Sequence, residues 1–322
     1  MNRGAALLLA FLLAAAAAAS LALPWGDLGA LFDTDRPLAW AVVAELRLPR
    51  TMLAILYGAM LAAAGAAIQA LFANPLASPD LTGTTSGAAL GAVVTAYLLG
   101  LSSPGAMSIG AVAGALGTLM LLLALAGPRA ETATLLLAGL AISALAGALT
   151  TLALALAPSP FAFYDAYDWL MGSLVDRSLA QAAFAGVPAV IAIVLLLRLA
   201  RPLDALTLGE EVAQSMGHDI AGLRRWVVCL TAVGVGACVA ICGAIGFVGL
   251  VAPIFARRLT GGHPGRAILP AALIGAILLT LADLAVRLAP LGRTLPIGVL
   301  TALLGAPFFL WLVANMRWRM SR

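Results

Sequence analysis

The densest group of ionisable side chains lies in residues 201–226, RPLDALTLGEEVAQSMGHDIAGLRRW, where Glu210, Glu211, His218 and Asp219 stand close together. Carboxylates beside an imidazole are the raw material of acid-base or metal chemistry, but both need more than this stretch offers. A zinc site takes three or four ligands, and no second His or Cys stands at a suitable spacing from His218. ATP hydrolysis needs a phosphate loop of the form G-x-x-x-x-G-K-[ST]. The sequence has none, and all 18 of its basic residues are Arg. The chain is therefore expected to be no enzyme and to hold no metal or cofactor. The pattern does offer a surface: Leu206, Leu208, Val212 and Met216 form an apolar stripe on two short helices broken at Gly217, while Glu210, Glu211, His218 and Asp219 stay exposed. A docking surface and a solvated loop on the membrane both fit.

Three further groups stand out. Asp283 and Arg287 share one face of an otherwise apolar helix at i,i+4 spacing, which suits an intrahelical ion pair or a proton relay. Residues 73–87, ANPLASPDLTGTTSG, are polar and broken by Pro and Gly between two apolar runs. Non-helical backbone at membrane depth must be buried in protein or face water, so this stretch is either a gate or a plain interhelical loop. Residues 243–253, GAIGFVGLVAP, leave too little room for a loop between two apolar runs, and such broken helices border transport paths. Cys229, Cys238 and Cys242 fall within one apolar run, where they serve as small packing residues.

The elements that must position these groups are membrane helices. The 322 residues are 63% hydrophobic and 10% charged, outside the range of soluble domains. Apolar runs of the roughly 17–25 residues needed to cross a bilayer recur along the chain without period-2 alternation. The expected fold is an all-α integral membrane protein with ten spans at 4–23, 50–72, 84–101, 106–126, 132–157, 181–200, 226–244, 246–260, 267–289 and 295–316. The first run exceeds the apolar region of a signal peptide and is read as an uncleaved helix. With both termini cytoplasmic, twelve arginines face inward, while Arg36, Arg47, Arg50, Arg177, Arg287 and Arg293 face outward, as the positive-inside rule requires. Scattered arginines form no nucleic-acid surface. No segment between spans is long enough for a core of its own, so residues 1–322 form one transmembrane domain. Gly58, Gly65 and Pro75 recur 178 residues later as Gly236, Gly243 and Pro253. The recurrence fits either chance or an inverted repeat with halves at about 47–157 and 225–316, joined by a cytoplasmic segment at 201–225.

RLPRTMLAILYGAMLAAAGAAIQALFANPLASPDLTGTTSGAALG, the 201–226 stretch, GFVGLVAP and LPIGVLTALLGAPFFLWLV together resemble the permease family of ABC importers for ferric siderophores, haem and vitamin B12. The resemblance covers nearly the whole chain. It implies a homodimer in the bacterial inner membrane, two cytoplasmic ATPase subunits carrying ATP and Mg, and a periplasmic binding protein. The cargo is then an iron chelate, ferric siderophore first and haem or cobalamin next, moved by alternating access. By position, Arg47 and Arg50 match arginines that receive the binding protein, and Arg293 is a further candidate. Asn74, Leu76, Thr132 and Thr134 match a cytoplasmic gate. Glu210, Glu211, Ala213, Gln214, Gly217, His218 and Asp219 match the segment seated in the ATPase. The sequence departs from the family where a His usually follows GLVxP, here Ile254, and where an Asp-His-Arg-like run is usual, here Gly262-His263-Pro264-Gly265-Arg266; an altered inner-face network with transport retained is expected. The alternative is an ion-coupled transporter or channel, against which the scarcity of ionisable residues within the spans argues.

Overall fold

The computed structural model describes residues 3–101, 103–127, 132–289 and 295–320, and these are helical without strands. Ten helices match the ten expected spans: α1 (Arg3–Ala22), α2 (Leu48–Leu71), α3 (Thr84–Tyr97), α4 (Pro104–Ala126), α5 (Thr132–Ala155), α6 (Leu179–Arg198), α7 (Ile220–Cys242), α8 (Val248–Leu259), α9 (Ile268–Leu288) and α10 (Ile297–Met320). Seven stretches are long and apolar enough to cross a membrane alone. Helix α3 has only 14 residues and α8 only 12. At about 1.5 Å per residue neither reaches across the roughly 30 Å of a hydrocarbon core.

Two boundaries differ from the sequence expectation. The segment before α2 is not a loop: Trp25–Thr34, Arg36–Ala41 and a π-helical turn at Val42–Arg47 lead into α2, so one apolar helix runs from Arg36 to Leu71. Asp35 caps it by accepting from the Leu38 amide at 3.1 Å, and Pro37 sits in the first turn, where its missing N–H costs nothing. Helix α7 starts at Ile220 rather than 226, because the Asp219 carboxylate accepts from the Gly222 amide at 2.9 Å and caps it there.

Helices α2 and α7 form the centre, each 78% buried across its apolar window, against 17% for α1. Small residues let backbones meet: a Cβ on Gly58 would stand 2.3 Å from the Gly275 carbonyl oxygen, and one on Gly65 only 1.8 Å from that of Gly249. The inverted repeat is visible in the packing. Exchanging α2 with α7, α3 with α8 and α4 with α9 turns the α2–α9, α3–α4 and α2–α8 interfaces into α7–α4, α8–α9 and α7–α3, all of which exist. Tyr57, near the start of α2, meets Gly243 at the end of α7, so the two run antiparallel. The Gly and Pro spacing does not mark equivalent places, however. Gly65 lies within α2 whereas Gly243 caps α7, and Pro75 lies in a turn whereas Pro253 lies inside α8. All three cysteines are free thiols, with Cys238 and Cys242 buried among the core residues.

Candidate functional site

The 200–219 segment is a run of short helices fastened to the bundle. It holds a helix at Ala200–Ala205, a 3-10 turn at Leu206–Leu208 and a helix at Glu210–Ser215. The chain breaks at Gly217 (φ +88°), as the sequence indicated, and also at Gly209 (φ +98°). Both angles are open to Gly and strained for other residues. Leu203, Ala205, Ala213 and Ile220 anchor the segment in the core. The Asp204 carboxylate accepts from the Gly265 amide at 2.8 Å, and Glu210 pairs with Arg224 at the start of α7. Beside these anchors, Leu208 (61% exposed), Val212 (44%) and Met216 (57%) are uncovered by the rest of the chain. Leu206, the fourth member of the expected stripe, packs against the core instead. Glu210, Glu211, Gln214, Gly217 and Asp219 are exposed and His218 half-buried.

Both broken segments prove to be partly buried backbone, and the helix that follows each is short. Residues 73–83 return from the 200–219 face to mid-membrane: Ser143, near the middle of α5, donates to the Asp80 carbonyl at 2.9 Å, and a Cβ on Gly83 would meet Ile142 at 2.9 Å. The stretch is therefore no plain surface loop. Its polar groups are satisfied locally, with the Thr82 hydroxyl donating to the Pro79 carbonyl at 2.7 Å and Thr85 to the Asp80 carboxylate at 2.7 Å. Residues 243–247 enter from the opposite face, with positive φ at Gly243 and Phe247. Tyr57, fully buried, holds them: its hydroxyl donates to the Gly243 carbonyl at 3.0 Å and accepts from the Ile245 amide at 3.3 Å. An apolar cleft of about 550 Å³ on one side of this segment is lined by Met171, Ala244, Gly298 and Ala302 of α10 and the adjoining turn. A second of about 200 Å³ is lined by Phe247, Leu278, Thr301 and Phe308.

The predicted residues do not all gather where expected. Asn74 and Leu76 are half-buried and joined to each other, the Leu76 amide donating to the Asn74 side-chain oxygen at 2.9 Å. Thr134 is exposed one turn into α5. The Thr132 side chain and all of Arg293 lie outside the described residues. At the opposite face, Arg47 donates to the carbonyls of Leu21 and Pro24, both at 2.9 Å. Arg50 is paired with Asp283, its Nη2 2.9 Å from the carboxylate. Asp283 also holds Arg287 at 2.6 Å, and Arg287 reaches Ser20 in α1. The expected Asp283–Arg287 pair thus exists as part of a buried cluster joining α1, α2 and α9.

Sequence reasoning missed Tyr57 and two orphans. Gln69 donates to the Leu250 carbonyl at 3.2 Å, but its side-chain oxygen is buried without a partner. Arg257, at the end of α8, has a buried Nε and Nη2 without partners. It lies one turn from Ile254 and close to the 262–266 turn, the places where the sequence departs from the family pattern. A lone polar residue in an apolar helix was the signal available for Gln69.

The model of the FecCD transport family matches residues 6–315. The chain belongs to the FecCD transport family. Vitamin B12 import system permease proteins of Salmonella newport and Salmonella paratyphi A are 42% and 41% identical to it over 276 residues, covering 84% of this chain and 83% of theirs. A metal-chelate type ABC transporter solved in an inward-facing conformation aligns over 95% of this chain and 97% of its own, at 32% identity and a TM-score of 0.84. PsaBC from Streptococcus pneumoniae shares the fold at 19% identity and a TM-score of 0.58. This FecCD-family chain is a multi-pass membrane transport component.

Proposed function

We propose that the chain is the membrane subunit of an ATP-driven importer that carries a bulky metal chelate from periplasm to cytoplasm as a homodimer. Two ATPase subunits sit on the 200–219 lever, and a loaded binding protein docks on the opposite face. The observation that carries this reading is the uncovered apolar stripe of Leu208, Val212 and Met216 on a segment fastened to the bundle through Asp204–Gly265 and Glu210–Arg224. A partner gripping that stripe moves the starts of α7 and α9 together. ATP binding biases the two access states through differential affinity, and about 5.5 kcal/mol moves a 1:99 balance to 99:1.

Ferric siderophore is the first cargo by family membership alone. The vitamin B12 permeases at 42% identity shift the preference to a corrinoid. Arg47 and Arg50 serve the docking of the binding protein indirectly, by fixing the rim formed by α1, α2 and α9, because their guanidiniums are engaged within the chain. Asn74 and Leu76 shape the inner gate at the mouth of the 73–83 re-entry.

Uptake into vesicles holding the permease and its ATPase tests the class. Import that needs ATP and persists with a protonophore supports the proposal. Import that collapses with the proton gradient and ignores ATP assigns the chain to ion-coupled transport.

A further inference from the structure

A cavity of about 570 Å³ lies behind helix Pro160–Leu170, between the ends of α3 and α7 and the starts of α4 and α6. It takes no part in the clefts beside residues 243–247. Arg177 is among its lining residues, and its Nε is buried without a hydrogen-bond partner. A buried guanidinium donor left unpaired is costly, and none of the polar side chains lining the cavity accepts from this Nε. The Tyr97 hydroxyl donates to the Ala162 carbonyl at 2.6 Å, Ser108 to the Ala240 carbonyl at 2.8 Å, and the Gln181 side-chain oxygen accepts from the Ser178 amide at 2.9 Å. The one carboxylate on the wall, Asp165, forms no ion pair with Arg177 among the described residues. One cavity therefore presents a cation and an anion held apart.

The rim says where the cavity sits. Helix Pro160–Leu170, PFAFYDAYDWL, carries five aromatic residues. Phe163 stacks on Tyr167 at 5.9 Å, while Phe161 is 82% exposed. Aromatic residues concentrated at the end of a membrane bundle mark the headgroup level. Apart from Ser159, the remaining lining, including Met107, Ala96 and Ile241, is apolar.

We propose that this cavity binds the headgroup of a zwitterionic phospholipid, with the phosphate on Arg177 and a primary ammonium on Asp165. The volume falls within the roughly 300–1,000 Å³ of small-molecule sites. Guanidinium-to-phosphate contacts are charge-assisted and strong, and the aromatic and Met side chains receive the glycerol and first methylenes. Occupancy bears on transport through the end of the same helix: the Trp169 carbonyl oxygen abuts Gly243, at 2.0 Å from where a Cβ there would stand, and the Met171 carbonyl abuts Gly298 at 2.3 Å by the same measure. That consequence rests on the proposed function; the binding itself does not.

The test is native mass spectrometry of the purified full chain with phosphatidylethanolamine, phosphatidylglycerol or phosphatidylcholine, and with inorganic phosphate as competitor. Wild type should retain phosphatidylethanolamine preferentially. Arg177→Gln should weaken retention about tenfold or more, the loss expected for one buried charge-assisted bond, while Arg177→Lys keeps part of it and shows that the fold tolerates substitution. Asp165→Asn should remove the preference for phosphatidylethanolamine over phosphatidylglycerol. Equal retention of all three lipids by wild type and Arg177→Gln overturns the site. Displacement by millimolar phosphate overturns the lipid assignment in favour of a free anion.

Discussion

Replacing Asp283 by Asn should be among the most destabilising single changes available at the face opposite residues 200–219. Asp283 is 1% exposed and, among the described residues, is the only carboxylate found against two guanidiniums, Arg50 at 2.9 Å and Arg287 at 2.6 Å, which are themselves 15% and 10% exposed. Asn keeps the shape and removes the charge, leaving two buried cations facing each other across an amide. Breaking a buried pair from one side costs about 3–5 kcal/mol. For a large domain each kcal/mol moves Tm by about 2–4 °C, so a fall of about 6–20 °C is expected. The assay is thermal unfolding of wild type, Asp283→Asn, Arg50→Gln and the double variant in nanodiscs. Contacting residues couple by about 0.5–3 kcal/mol, so Arg50→Gln should destabilise wild type clearly and the Asp283→Asn background much less, or even relieve it. A Tm unchanged by Arg50→Gln would show that Arg50 is not held internally, and would return it to the rim as a free docking arginine.

Three other changes follow from the same geometry. Tyr57→Phe removes two contacts to the 243–247 segment, each worth about 0.5–1.5 kcal/mol; amide exchange at Ile245 should speed up while exchange in α4 stays unchanged, and uniform protection throughout would refute the latch. Gly65→Ala places a methyl 1.8 Å from the Gly249 carbonyl oxygen, against backbone that cannot yield as a side chain would, so the variant should accumulate poorly in the membrane; wild-type yield and Tm would contradict the α2–α8 contact. Leu208→Asp changes a side chain that is 61% exposed, so stability should hold within about 0.5 kcal/mol of wild type while co-purification of the ATPase fails; retained ATPase would remove the apolar stripe from the interface.

The spans were legible because an apolar run of bilayer length is a signal that survives without tertiary information. The run of short helices at 200–219 was legible for a similar reason, since charged residues interrupting such a sequence break the spans. The depth of the two broken segments was not. Pro75 and Pro79 announce a break, but only Ser143 and Ile142 of α5 show that the chain returns to mid-membrane. Likewise Asp283 and Arg287 read as an i,i+4 pair, whereas Arg50 joins them across 233 residues of sequence, beyond any local pattern. Tyr57 carried no signal as one aromatic in an apolar helix. The Gly and Pro recurrence pointed toward an inverted repeat that packing supports, through positions that packing does not align.

The central claim, that the 200–219 lever couples a partner ATPase to transport, is tested most directly by measuring ATP hydrolysis by the assembled complex in nanodiscs with its binding protein empty or loaded with cobalamin or a ferric siderophore. Stimulation by one loaded binding protein, abolished by Leu208→Asp, is the predicted result. Hydrolysis that ignores the loaded binding protein, or stimulation that survives Leu208→Asp unchanged, would contradict it.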